Sequence, residues 1–492
     1  MSNRKDYSPN RINAAERLPL IDGGAAPIGY LNIWSVLGLA LLLRALLPIS
    51  GYLYTRDATI FYTPDSESYI VPARELIAYH RFFSDGSEQA RVWNWPVAPA
   101  PEIIRTPGYP LLLTAGLLLG RLEVTTIVLQ ILLSCFTVYM VYRTAGLLFE
   151  SERIALIASM LYAIEPLSIL FSSLLSTETL FTAILMAGVY YLVRYLKRQS
   201  PADLLVSSGA LAASVYVRPA GYFLPLIIVA GLAGWALLTA QQDKLRLTAH
   251  LSVFLIAFVG LTGVWRVRNQ ISIGYSGFSS VFGEDMYCCL AASVLAAKQH
   301  LSYSEMQRRL GCYDLGTYFR DNPEQKTWPQ AQIVNYMSHD AEHVLLDSPL
   351  TYAQIYLEGV VRGVFDPGST EFLRFFDLYP KDGGLLETEV DKGVGKTLEA
   401  LFRVPLLGWS TVVLLALQIV YLLGACMALS GRLLRDSATL MVLLVMGYYC
   451  AIPGGPTDWG RFRHPAMPIM CALAAYGLTA TGKWHRRLFA YF

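Results

Sequence analysis

The chain has 492 residues, 54% of them hydrophobic and only 15% charged, with a formal net charge of +2. That much apolar surface exceeds what a soluble core needs and marks a polytopic membrane protein. Near-neutral charge without a run of like charges excludes nucleic acid as a partner, because phosphate-backbone binders concentrate a basic excess.

Residues 1–29 are polar, carry Arg4, Lys5, Arg11 and Arg17, and precede an apolar run with no small-residue cleavage site. They read as a cytoplasmic segment before an uncleaved anchor. Apolar stretches long enough to cross a ~30 Å hydrocarbon layer follow at 30–54, 124–148, 153–174, 178–196, 202–217, 220–240, 248–265, 404–430, 436–452 and 464–481. Residues 108–120 are apolar but too short, end at Arg121 and Glu123, and are expected to lie on the surface as a juxtamembrane helix. The expected fold is therefore an all-α polytopic bundle of about ten transmembrane helices with extracytoplasmic loops carrying juxtamembrane helices. It divides into the N-terminal segment 1–29, a transmembrane region 30–265 with a first outer loop at 55–123, a long outer loop 266–403, and a transmembrane region 404–492 with a short tail. Within the long loop, amphipathic patterns at 281–299 and 350–365 are interrupted by polar residues, and Pro367-Gly368 ends the second.

Charge asymmetry orients the bundle. Ten spans with an inner N-terminus put Arg143 and Arg153, Arg194, Lys197 and Arg198, Lys244 and Arg246, Arg432 and Arg435, and Lys483, Arg486 and Arg487 on the cytoplasmic side. The short outer turns then hold only Arg218, Arg461 and Arg463, so both termini are expected in the cytoplasm. Of seven cysteines, Cys135, Cys426, Cys450 and Cys471 fall in or beside apolar spans, whereas Cys288, Cys289 and Cys312 share the polar loop. A disulfide from Cys312 to either neighbour would require an oxidising compartment.

Ionisable residues gather at the outer ends of the spans. Asp65 follows Pro64 and precedes a helical pattern through Tyr69, Ala73 and Leu76, so locally it reads as an N-cap or turn carboxylate. Service as a general base would ask for a pKa above the usual ~3.9, with Glu67 as the alternative acid. Arg105, in Arg-Thr-Pro-Gly-Tyr-Pro, would sit near phosphate level, where headgroup snorkelling is the plain alternative. Glu178 begins a span, where the helix dipole favours a carboxylate, and Arg218-Pro219 marks a helix boundary. Arg461, Arg463 and His464 place three cationic candidates in four positions of the last outer turn, and Arg266 and Arg268 repeat this exception to charge asymmetry. Deeper, Arg44 is expected to snorkel outward, and Glu165-Pro166 either faces a cavity or is hydrogen-bonded within the bundle.

Five of these pieces, Asp65 to Tyr69, Arg105 to Pro110, Pro166 to Phe181, Trp265 to Gly274 and Arg461 to Pro468, occur in the order seen in a known class. The chain resembles the GT-C class of membrane glycosyltransferases over nearly its whole length, specifically the bacterial relatives of protein O-mannosyltransferase and lipid A aminoarabinose transferase. The resemblance implies inverting transfer of one sugar from a polyprenyl-phosphate donor to a lipid, glycan or protein acceptor at the outer face of a bacterial inner membrane. Asp65 matches the position of the proposed catalytic acid, although Asp-Ser-Glu stands where many members show adjacent acids. Glu67 and Glu178 are the further catalytic candidates. Arg105, Tyr109, Arg218, Arg266, Arg268, Arg461, Arg463 and His464 are the candidates for binding lipid phosphate and sugar. Members using lipid monophosphates often need no metal, so no cofactor is expected, and a divalent metal is unsupported. An O-antigen-type polymerase or ligase is the nearer rival. A glycolipid transporter or flippase is the more distant one, since transporters place polar groups near the midplane.

Overall fold

The computed structural model describes residues 32–85, 99–238, 244–378, 402, 405–429, 436–456 and 459–489. The expected cytoplasmic segment 1–29, the basic pair Arg432 and Arg435, and Asp458 lie outside them. The fold is all-α and polytopic. Among the described residues, six helices are long and apolar enough to cross a membrane, and 108–118, 201–217 and 437–451 are shorter apolar helices.

Helix α1 (Ile33–Thr55) is opened by an Asn32/Ser35 capping box and leads through a short turn into α2 (Ser66–Tyr79). A two-residue antiparallel ladder, β1 (Phe83–Ser84) with β2 (Ala100–Pro101), returns the chain beside α2. It enters α3 (Gly108–Leu118), which at 1.5 Å per residue is about 16 Å long and too short to span. Helices α4 (Leu122–Phe149), α5 (Glu152–Ala163), α6 (Pro166–Phe171), α7 (Glu178–Arg198), α8 (Pro201–Val217), α9 (Leu224–Leu238) and α10 (Lys244–Ile273) follow.

The span expected at 153–174 is broken between α5 and α6, and Arg44 explains how the break is tolerated. Proline keeps the residue before it out of the helical region. Glu165 instead caps α6, its oxygens accepting from the Leu167 N–H at 3.2 Å and the Ser168 N–H at 2.5 Å. Arg44 does not snorkel. It is fully buried and donates to the carbonyls of Ala163 (2.8 Å) and Tyr162 (3.3 Å) and to the hydroxyls of Ser134 (2.6 Å) and Ser168 (2.9 Å). A helix break inside hydrocarbon frees carbonyls that only protein donors can satisfy, and the guanidinium supplies them.

After α10 the long loop folds as a helical unit. It comprises α11 (Val281–Asp285), a π turn at Met286–Ala291, α12 (Ala292–Gln299), α13 (Tyr303–Arg309), α14 (Leu315–Asp321), α15 (Gln330–Asp347), α16 (Pro349–Phe365) and α17 (Ser369–Phe375). It has its own apolar core around Tyr287, Tyr318, Ile333 and Met337, and a disulfide joins Cys288 to Cys312 across 24 residues, with Cα atoms 5.7 Å apart. The chain ends with α18 (Pro405–Ala428), α19 (Ser437–Ala451), α20 (Trp459–Arg463) and α21 (Met467–Phe489). Helices α18 and α21 lie against each other through small residues: a Cβ on Gly477 would fall 2.0 Å from the Gly424 carbonyl oxygen.

Candidate functional site

The start of α2 is tied to the α6–α7 connection, because Ser66 Oγ accepts from the Thr63 N–H at 2.7 Å and donates to the Leu175 carbonyl at 2.7 Å. This fixes Asp65 beside the N-terminus of α7. Asp65 holds the N-cap position of α2 yet makes no side-chain cap bond. Its oxygens are committed to cations: Oδ1 accepts from Arg105 Nη2 at 2.8 Å and Oδ2 from Arg461 Nη1 at 2.9 Å.

The β1–β2 ladder delivers Arg105, and Glu102 shapes the approach, its Oε1 accepting from the N–H groups of Ile104 (2.6 Å) and Arg105 (2.8 Å). The guanidinium also donates to Ser68 Oγ at 2.9 Å and to the Tyr69 hydroxyl at 3.1 Å, and it lies over the Tyr69 ring. Opposite, the fully buried Glu178 accepts through Oε1 from Arg461 Nε at 2.7 Å and from Arg218 Nη1 at 2.8 Å. Arg218 ends α8 in extended geometry before Pro219 and stacks over the Phe462 ring at 4.8 Å. Arg461 therefore bridges the two acids. Among the described residues, three guanidinium groups here pair with two carboxylates.

Burial pushes the Asp65 carboxyl upward, but Arg105 and Arg461 outweigh it and hold the group well below the usual carboxylate range. This reverses the raised value expected for a base, because both oxygens already face cations. Glu284 of α11 behaves in the opposite way. Burial pushes it up to about 8, with only Ser280 Oγ donating to it, at 2.9 Å. Helix α11 is docked on the Arg105 segment, since Ser280 N–H donates to the Ile103 carbonyl (2.9 Å) and Ser279 Oγ to that of Ile104 (2.6 Å).

A family model described as dolichyl-phosphate-mannose-protein mannosyltransferase matches residues 104–265, the stretch carrying Arg105, Glu178 and Arg218. In structure, the chain superposes on the oligosaccharyltransferase of Archaeoglobus fulgidus in its apo form with a TM-score of 0.54 at 14% identity. It superposes on the same enzyme, AglB, in complex with an inhibitory peptide and a dolichol-phosphate with a TM-score of 0.51, also at 14% identity. Both superpositions take in 94% of this chain and 52% of the other, so the chain corresponds to about half of those proteins. No curated protein matches it in sequence. The fold is that of these oligosaccharyltransferase structures.

Of the residues singled out from the sequence, the helix bundle brings Asp65, Arg105, Glu178, Arg218 and Arg461 together and holds six others apart. Glu67 points away, 3.6 Å from Arg74. Tyr109 is buried beneath Tyr69, its hydroxyl donating to Gln130 at 2.8 Å. Arg266 donates to the Ser276 carbonyl on the exposed side of α10, and Arg268 clamps the carbonyls of Glu102 and Phe82, both at 2.6 Å. Arg463 is buried and donates to the carbonyls of Gly363, Val364 and Asp366 at 3.2, 3.0 and 2.6 Å. His464 is buried and lies against Phe171, ring centroids 4.9 Å apart. Sequence reasoning missed Ser68, Tyr69 and Glu102, which position Arg105. Glu102 had a local signal, a carboxylate two and three residues before backbone N–H groups it can accept from.

Glu178→Gln is expected to destabilise the protein by about 3–5 kcal/mol, because the guanidinium groups of Arg218 and Arg461 would then share a buried site without their common counter-charge. Thermal melting of the detergent-solubilised variant reads this. A melting curve superimposable on the parent's would show that the pairs carry no structural weight.

Proposed function

We propose that the protein is an integral membrane glycosyltransferase that transfers a sugar from a polyprenyl-monophosphate donor to a lipid, glycan or protein acceptor at the extracytoplasmic face, with inversion. The observation that carries this reading is the cluster of Arg105, Arg218 and Arg461 with Asp65 and Glu178, set beside the ends of apolar helices. A surplus of guanidinium over carboxylate suits an anionic phosphate and opposes a divalent cation, so no metal is assigned a part. The matched family is named for a lipid monophosphate sugar, and the superposed AglB holds a dolichol-phosphate; both agree with a lipid-phosphate donor. The Cys288–Cys312 bridge supports an oxidising compartment for the outer unit. With charge asymmetry, it favours a bacterial inner membrane protein with cytoplasmic termini.

In this reading Arg461 and Arg218 turn from their acids to the donor phosphate, exchanging one charge-assisted pairing for another. Losing Arg461 raises Asp65 toward an ordinary carboxylate, now able to accept a proton. The acceptor hydroxyl attacks the anomeric carbon opposite the phosphate, and the carbon–oxygen bond to phosphate breaks with its electron pair leaving on the phosphate oxygen. The hydroxyl proton passes to Asp65. Backside attack inverts the centre. Arg105 orients Asp65, and Glu178 holds Arg218 and Arg461 in place until the donor arrives.

The test is reconstitution in liposomes with polyprenyl-phosphate sugars and candidate acceptors. The expected result is a glycosylated acceptor of inverted anomeric configuration together with free polyprenyl phosphate. Movement of labelled glycolipid between leaflets without any transfer would replace this reading with a transporter.

A further inference from the structure

Three levels along α16 and α17 trace a descent and a return. At the first, the Tyr356 hydroxyl donates to the carbonyl of Ala451, the last residue of α19, at 2.7 Å. Gly359 packs so closely on Gly455 of the following turn that a Cβ would fall 2.1 Å from its backbone nitrogen. This part of α16 is level with the end of the apolar helix α19.

At the second level, the Val364 carbonyl accepts from Gln418 Nε2 at 3.2 Å. Gln418 is ten residues inside the apolar window Gly408–Ala428 of α18, about 15 Å at 1.5 Å per residue, or roughly half the hydrocarbon thickness. At the third, Ser369 Oγ accepts from Thr411 Oγ1 at 2.7 Å, seven residues back toward the outer end of α18. Phe376 then meets Tyr54 at the top of α1, ring centroids 6.2 Å apart. The turn at the bottom is Asp366-Pro367-Gly368, where Gly368 has φ 69° and lies against Leu167.

Irregular backbone at such a depth needs protein donors for its carbonyls. Here they are present: Arg463 donates to Gly363, Val364 and Asp366, and Gln418 to Val364. Meanwhile the descending half of α16 turns Leu357, Val361 and Phe365 outward at helical spacing, 61%, 57% and 47% exposed, with Gly359 and Gly363 buried on the other side. On α18, Leu406, Val412 and Val413 are likewise exposed.

We propose that residues 357–369 form a re-entrant hairpin sunk in the leaflet on the side of the Asp65 cluster, with Leu357, Val361 and Phe365 in contact with its acyl chains. The hairpin is a lipid-facing surface built into an otherwise extramembrane unit, and Arg463 serves it as the donor that satisfies its turn.

The full chain is reconstituted in phosphatidylcholine vesicles, with the exposed Cys426 replaced by serine and single nitroxides attached at Gln354→Cys, Val361→Cys and Phe365→Cys. Collision with oxygen is expected to exceed collision with a water-soluble nickel chelate several-fold at 361 and 365, and the order is expected to reverse at 354. Nickel accessibility at 361 and 365 matching that at 354 would overturn the proposal. So would protection from both reagents, which would mean that protein, such as a second copy, covers the stripe. Phe365→Trp, which keeps an apolar ring, gives an independent reading. Its added fluorescence should be quenched by acyl-brominated phosphatidylcholine, and unquenched emission would sink the idea. None of these readouts requires transfer, so the hairpin and the glycosyltransferase reading fail separately.

Discussion

Asp65→Asn is expected to lower kcat by about 10²–10⁴-fold, the range a positioned general base contributes, while affinity for polyprenyl phosphate stays equal or improves. Asparagine keeps the size of the side chain but neither accepts the acceptor's proton at neutral pH nor competes with phosphate for Arg461. The pH dependence sharpens the test. In the empty protein Arg105 and Arg461 hold Asp65 below the usual carboxylate range, so it is ionised at every pH above its depressed pKa. Activity assigned to it is lost only as pH falls through that value. The ion pairs contribute stability in the same sense, fully present above the ordinary ~3.9 and lost as acid titrates the depressed group. Since kcat/KM reports the free enzyme and kcat the donor complex, the acid limb of kcat should lie at higher pH, because the phosphate draws Arg461 away. A kcat/KM limb between about 6 and 8 would point to Glu284, which burial raises to about 8, and full turnover by Asp65→Asn would remove Asp65 from its role.

How far the site was legible follows from helix geometry. The residue types at the outer turns were readable, because a charged side chain at the end of an apolar span stands out against charge asymmetry. What local sequence concealed was which member of each doublet turns inward. Residues two apart on a helix point about 200° apart and do not share a face. Three doublets divide in this way. Asp65 joins the cluster and Glu67 goes to Arg74. Arg268 clamps the Arg105 segment while Arg266 lies on the exposed side of α10. Arg461 bridges Asp65 and Glu178, whereas Arg463 turns to the carbonyls of α16. Span positions were readable from length and apolarity except where a break was internally satisfied, as at Glu165-Pro166. There the donor is Arg44, more than a hundred positions away in sequence.

That division predicts opposite outcomes for neighbouring arginines. Arg461→Lys should raise the donor KM and lower kcat/KM by about 10- to 100-fold, the equivalent of one charge-assisted hydrogen bond of about 1.5–3 kcal/mol. A lysine ammonium is a point charge. It can reach one acid or one phosphate oxygen, but it cannot present Nε and Nη1 to Glu178 and Asp65 together, nor offer a planar fork to phosphate. Arg463→Lys should leave the donor KM within about two-fold, because none of its partners belongs to the cluster, yet lower the melting temperature, because an ammonium is more strongly hydrated than a guanidinium and costs more to keep buried at the turn. Measuring donor KM and melting temperature on both variants separates the roles. Equal KM effects would mean that both arginines reach the phosphate, and the bridge at Arg461 would no longer distinguish the site from its support.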